Sequence, residues 1–200
     1  MNHRTTTTVL GAGALAVALL LSGCAAAAPA GMEGMDHGAP APGPSASASD
    51  SARASADAAF AMGMIAHHQQ AVDMADVLLR KTGVAPAVVA LAERIKAAQQ
   101  PEIDLMNRWL DAWGVSGSMA GMDHGGMMSA DDMAALERAD GPAASALFLQ
   151  QMIVHHEGAL VMAQNELAAG GDQDARALAQ RIVTDQTAEI AEMRRMLAAL

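Results

Sequence analysis

The sequence predicts an all-α protein, a four-helix bundle made of two repeated helical hairpins. Three observations carry that expectation. The composition holds 16 Met but no Tyr, two Phe and two Trp, and it is rich in alanine; chains of this kind with few β-branched residues favour helix. Residues 60–75 recur as residues 148–163 with half of the aligned positions identical, and both copies keep two adjacent histidines and two flanking methionines. The segments that follow recur too. Ala-Leu-Ala-Glu-Arg-Ile at 90–95 returns as Ala-Leu-Ala-Gln-Arg-Ile at 177–182, and Gln99, Glu102, Ile103, Met106, Arg108 and Leu110 return as Gln186, Glu189, Ile190, Met193, Arg195 and Leu197. The repeated unit is a helical hairpin that cannot bury its apolar stripe alone, so two of them must pair.

The chain opens with Arg4 and an apolar run over residues 9–21, short for a membrane span and right for the core of an export signal. The run ends in Leu21-Ser22-Gly23-Cys24, which resembles the lipobox of bacterial lipoproteins. That resemblance implies a signal peptide over residues 1–23 and a lipid on Cys24. Cys24 is the only cysteine, so a disulfide within the chain and a thiolate metal site inside the fold are both excluded. Residues 24–55, rich in Ala, Pro, Gly and Ser, are expected to form a flexible tether. The bundle is expected over residues 56–200.

The first helix is expected from about residue 56 to 81, with Gly83 placed to end it. Pro86 opens the second, which runs to about residue 113 and is stopped by Gly114. Pro101 should kink it just before Glu102, where the repeat has Ala188. Residues 114–142 form a long Met- and Gly-rich connection, inside which Ser129 can cap a short helix reaching residue 138. The third long helix follows Gly141-Pro142 and reaches residue 169. Gly170-Gly171 ends it, and Asp172 caps the fourth, which reaches the C-terminus.

At about 100° per residue, His67 shares a face with Phe60, Met64, Ala71 and Leu78, with Met74 and His68 on either side. The same wheel gathers Phe148, Met152, His155, His156, Ala159 and Met162. On the second helix the stripe reads Val88, Leu91, Ile95, Leu105, Met106 and Trp109, with Glu102 near its middle and Gln99 at its edge. Glu189 sits the same way among Leu178, Ile182, Met193 and Met196. A carboxylate on an apolar face is costly unless it is paired or bound to a cation. Each hairpin thus points His, Met, Gln and Glu inward, more polar atoms than a core of this size needs.

Thioether ligands are soft and select Cu(I), and imidazole accepts copper in either oxidation state. Zinc rarely uses Met. Di-iron bundles need about four carboxylates and two Glu-x-x-His motifs, and this chain has no Glu-x-x-His. A haem-attachment Cys-x-x-Cys-His is absent too. The net charge of -10 argues against nucleic acid as a partner. Met-Asp-His-Gly occurs twice outside the helical periodicity, once with Met32, Met35 and His37 and once with Met119, Met122, His124, Met127 and Met128. These Gly-rich segments are expected to add little to the core and to serve as auxiliary copper ligands.

The motif Met-Ile-x-His-His-x-x-Ala-x-x-Met-Ala, present in both repeats, resembles the signature of the CopM-like family, the bacterial domain of unknown function numbered 305. The resemblance covers residues 57–200. It implies a ferritin-like four-helix bundle, exported, that binds copper through Met and His and is linked to copper resistance. Carried over residue by residue, the ligand candidates are Met64, His67, His68 and Met74, and Met152, His155, His156 and Met162. Glu102 and Met106, with Glu189 and Met193, match the helices that face them and complete the set of expected metal-site residues. The expectation is a copper-binding lipoprotein, not an enzyme, holding Cu(I) for storage, buffering or hand-over. It would sit on the outer face of the cytoplasmic membrane or in the periplasm, anchored at Cys24 and exchanging copper with a copper-handling protein. Two alternatives stand beside it: a ferritin-like metal oxidase or ferroxidase, and a helical lipoprotein whose inward His–Glu pairs serve only the fold.

Overall fold

Five helices follow one another: α1 (Ala46–Leu79), α2 (Pro86–Ala112), α3 (Ala130–Arg138), α4 (Gly141–Ala169) and α5 (Gln173–Leu197). They are seen in a computed structural model that describes residues 46–116 and 125–200. Among the described residues there is no strand. Cys24, Met32, Met35, His37, Met119, Met122 and His124 lie outside the described residues.

α1 starts at Ala46, earlier than the expected residue 56. Residues 49–55 are exposed throughout, so no apolar stripe announces these first turns. Alanine propensity carries it instead. The other boundaries match their local signals. Pro86 begins α2, and Gly83 and Gly114 take the left-handed conformation at the two chain reversals, with φ of 75° and 66°. Ser129 and Asp132 form a reciprocal capping box on α3. Asp140 caps α4 by accepting from Ala143 N, and Asp172 caps α5 by accepting from Asp174 N and Ala175 N. Pro101 does not break α2: it lies on the exposed side and the helix continues past it.

α1 packs on α2, and α4 on α5, as the two hairpins. α1 and α4 join them, and α3 lies on both. Lys81 Nζ donates to the carbonyls of Glu137 and Ala139 and so fixes the end of α3 where its dipole is negative.

The core divides into two apolar clusters. The first gathers Met74 and Leu78 of α1, Leu91 and Ile95 of α2, Phe148 and Met152 of α4, Met193 of α5 and Leu136 of α3. The second gathers Phe60 and Met64, Met106, Ala159 and Ala163, and Leu178 and Ile182. Residues of α1 after its histidine pair therefore meet residues of α4 before its own pair, and the converse. The two helices pass antiparallel and cross at the histidines. Burying each large apolar side chain contributes about 1.5–3 kcal/mol, so each cluster is a substantial part of the fold.

The helical wheel misplaced Gln99, Glu102, Ile103 and Leu105 on α2. Gln99 is buried at 3 % exposure, whereas the Glu102 side chain is 23 % exposed. Ile103 is buried and Leu105 only half-buried, the reverse of the expectation. The buried set on α2 steps through Val88, Leu91, Ile95, Gln99, Ile103 and Met106, a narrow line set by one close neighbour, α1. Met162 is half-buried, while its repeat partner Met74 is fully buried.

Candidate metal centre

Between the two apolar clusters runs a layer of polar side chains, contributed equally by the two repeats. His67, His68, His155 and His156 are all 0 % exposed. The His67 and His155 rings meet at the crossing of α1 and α4, their centroids 3.7 Å apart and their planes 39° apart. His68 Nε2 lies 2.8 Å from Glu102 Oε2, and His156 Nε2 lies 2.7 Å from Glu189 Oε2. The two pairs are the same contact made twice, so Pro101 leaves the first repeat's pair as well formed as the second's. Gln99 and Gln186 complete the layer, buried one turn before each glutamate.

Burial holds the His155 imidazole well below its ordinary pKa, and the neighbouring His67, His156 and His68 push in the same direction. The ring is therefore neutral at physiological pH and keeps a lone pair available. Several polar atoms of the layer have no hydrogen-bond partner: Nδ1 of His68, Nδ1 of His156, Nε2 and Oε1 of Gln99, and Oε1 of Gln186. Each such atom costs about 1–3 kcal/mol. Folded domains are stable by only about 5–15 kcal/mol and rarely leave buried polar atoms unmade. The layer has the polar character of a ligand site set between two apolar clusters.

The thioethers flank this layer. Met74, Met152 and Met193 share the first cluster, and Met64 and Met106 the second, with Met162 packed against it. Met128, Met133 and Met196 pack against the first cluster as well. Met196 was expected on the α5 stripe; the sequence pattern did not single out Met133. Among the described residues, no three His, Cys, Asp or Glu side chains converge to hold one metal ion. The donors at hand are imidazole and thioether, a soft set suited to Cu(I) and poor for zinc or iron.

The connection between the hairpins is more closely tied to the core than expected. Gln70 Nε2 donates to Met128 O at 2.8 Å, and Met128 N donates to Gln70 Oε1 at 2.7 Å. On the other helix, a Cβ on Gly158 would lie 2.0 Å from Gly125 O, so the strap rests on bare α4 backbone there. Gln70 and Gly158 hold equivalent positions in the two repeats, three residues after His67 and His155. The strap 125–128 thus crosses the α1–α4 groove about one turn from the ring contact. Met127 is half-buried on it, and Met162 borders the same strap in a cleft of about 520 Å³. The signal was in the repeat itself: glycine stands where the first copy has glutamine.

Fold and layer together define a class: an antiparallel helical bundle of duplicated hairpins with a buried histidine–methionine layer. The family model described as Domain of unknown function (DUF305) matches residues 57–197. The chain belongs to this family. Its fold is similar to that of a family member from Streptomyces coelicolor, at 33 % identity and a TM-score of 0.68, over 72 % of this chain and 93 % of that one. A family fragment from Deinococcus radiodurans follows at 30 % identity and a TM-score of 0.67, over 72 % and 97 %. CopM in its Cu(I)-bound form is similar at 31 % identity and a TM-score of 0.61, over 72 % and 96 %. CopM is also known in Cu(II)-bound, silver-bound and apo forms. No curated protein matches the chain.

Proposed function

We propose that this protein binds copper, as Cu(I), in the histidine–methionine layer, and stores, buffers or hands it over as part of copper tolerance. The observation that carries the reading is the set of buried imidazole and amide atoms without partners, enclosed by thioethers and repeated in register. A monovalent soft cation would satisfy the bare imidazole nitrogens without a carboxylate cage. The ligand set is drawn from Met64, His67, Met74, Met152, His155 and Met162 with His68, His156, Met106 and Met193. The likeness to copper- and silver-bound CopM supports the choice of metal.

The protein acts as a binding protein outside the cytoplasm, held by a lipid on Cys24. The Streptomyces coelicolor relative is described as secreted, which supports export. Met127 and Met128 on the strap, with Met119, Met122, His124, Met32, Met35 and His37, form weaker sites that raise the local copper concentration beside the core. A copper-handling protein then receives or supplies the ion.

Anaerobic Cu(I) competition titration tests this, with Fe(II) and Zn(II) as controls. Wild type should bind Cu(I) far more tightly than either control. The quadruple variant His67→Ala, His68→Ala, His155→Ala, His156→Ala should lose the tightest sites while keeping its helical circular dichroism. Unchanged Cu(I) affinity in a helical quadruple variant would overturn the layer as the site.

A further inference from the structure

Glu102 and Glu189 hold His68 and His156 by the same contact in both repeats, and their geometry assigns them a narrower role than ligation. We propose that they are positioning residues. Each fixes its histidine as the tautomer with the proton on Nε2 and the lone pair on Nδ1, which it turns into the core. An ionised carboxylate can only accept a hydrogen bond. The ring nitrogen facing it must therefore carry the proton, and that nitrogen is Nε2 at 2.8 Å in one repeat and 2.7 Å in the other. In a neutral imidazole the second nitrogen is then a bare acceptor. That nitrogen, Nδ1, is buried and without a hydrogen-bond partner in both repeats.

The two ring nitrogens point to opposite sides of the imidazole. An ion on Nδ1 is thus out of reach of the carboxylate on Nε2. The glutamates sit at the solvent edge, with 23 % exposure, and the rings they hold are fully enclosed. Carboxylate contact on the far nitrogen orients a ligating ring and strengthens it as a donor. The consequence for metal affinity rests on the copper reading above; the tautomer itself does not.

The test uses the 15N-labelled full chain and the variants Glu102→Gln and Glu189→Gln, singly and together. A carboxamide can donate as well as accept, so glutamine no longer dictates which nitrogen is protonated. Long-range 1H–15N correlation spectra of the metal-free wild type should show His68 and His156 with protonated Nε2 and bare Nδ1. The variants should lose that uniform pattern, and Cu(I) affinity should fall about 10–100-fold with little change in melting temperature. X-ray absorption of the Cu(I)-loaded protein should show the same nitrogen and sulfur shell, with no carboxylate oxygen, before and after substitution. Protonated Nδ1 in the wild type would overturn the proposal. So would a carboxylate oxygen in the copper shell, or variants with both tautomer and affinity unchanged. If the wild type shows the expected tautomer yet binds no Cu(I), the positioning role stands and the copper reading falls.

Discussion

The polar layer should cost the metal-free protein stability, and replacing Gln99 and Gln186 with leucine measures that cost. Both amides are buried, at 3 % and 4 % exposure. Together they leave three polar atoms without partners: Nε2 and Oε1 of Gln99 and Oε1 of Gln186. At the low end of the penalty for an unmade buried hydrogen bond, relieving three such atoms is worth about 3 kcal/mol. The change of side-chain shape in a packed core takes back about 1 kcal/mol. The net gain of about 2 kcal/mol corresponds to a rise in melting temperature of about 4–8 °C for a domain of this size. Differential scanning calorimetry on metal-free wild type and the Gln99→Leu, Gln186→Leu variant reads this directly. A melting temperature at or below that of the wild type would refute the reasoning. The amides would then be satisfied in the fold, and the layer would be a structural network.

Three further predictions concern regions away from the ring contact. Gln70→Ala removes both hydrogen bonds to Met128, and should speed hydrogen exchange over residues 125–129 with a global loss of no more than about 1 kcal/mol. Gly158→Ala should do more, because its Cβ would meet Gly125 O, and a loss of about 1–3 kcal/mol is expected by chemical denaturation. A cost near zero would mean the strap yields freely. Glu166, 2 % exposed, has its pKa raised to about 8, first by burial and then by Asp57, whose carboxyl converges with it over Gly170. A raised folded pKa gives stability that is complete below the unfolded value of 4.5 and lost as pH rises through about 8. Glu166→Gln should therefore flatten the fall of melting temperature between those limits, and an unchanged slope would show that the carboxyl does not titrate there. His155 acts in the opposite sense: its pKa lies below 6.5, so its contribution is complete above that value and is lost as pH falls.

The parts of this fold that repeat were legible in the sequence, and the parts that break the repeat were not. Helix boundaries at Gly83, Pro86, Ser129 and Asp172 follow from local backbone chemistry, which a sequence states directly. The inward histidines followed from a period that both copies obey. The wheel brought Glu102 to the histidines but put it at mid-stripe, whereas its side chain lies at the solvent edge, 23 % exposed. The exact rotation of α2 depends on which helix it packs against, and that is a tertiary fact. The strap was less legible still. Gln70 and Met128 lie 58 residues apart, and no periodicity links a helix surface to a glycine-rich loop. Glu166 occupies the position that Leu78 fills in the first repeat. A leucine-to-glutamate difference between copies is visible in the sequence, but only the fold shows that the glutamate is buried against Asp57.

The choice between a copper carrier and a ferroxidase-type centre turns on where the carboxylates are. A di-iron bundle brings about four of them together around two metals, with histidines supplementing the set. Here the buried and half-buried carboxylates are dispersed into separate tasks. Glu102 and Glu189 each take one histidine, on opposite hairpins. Asp57 accepts from the backbone of Gly171 and Asp172 and anchors α1 to the α4–α5 turn. Glu166 sits beside Asp57 with its proton retained. The layer that remains is built of imidazoles and amides, flanked by the thioethers of both apolar clusters and supplied in matching pairs by two copies of one hairpin. Duplicating a hairpin doubles whatever donors it carries, and this one carries soft donors. The carboxylates that a hard-metal site would need are occupied in holding the histidines and the helices in place.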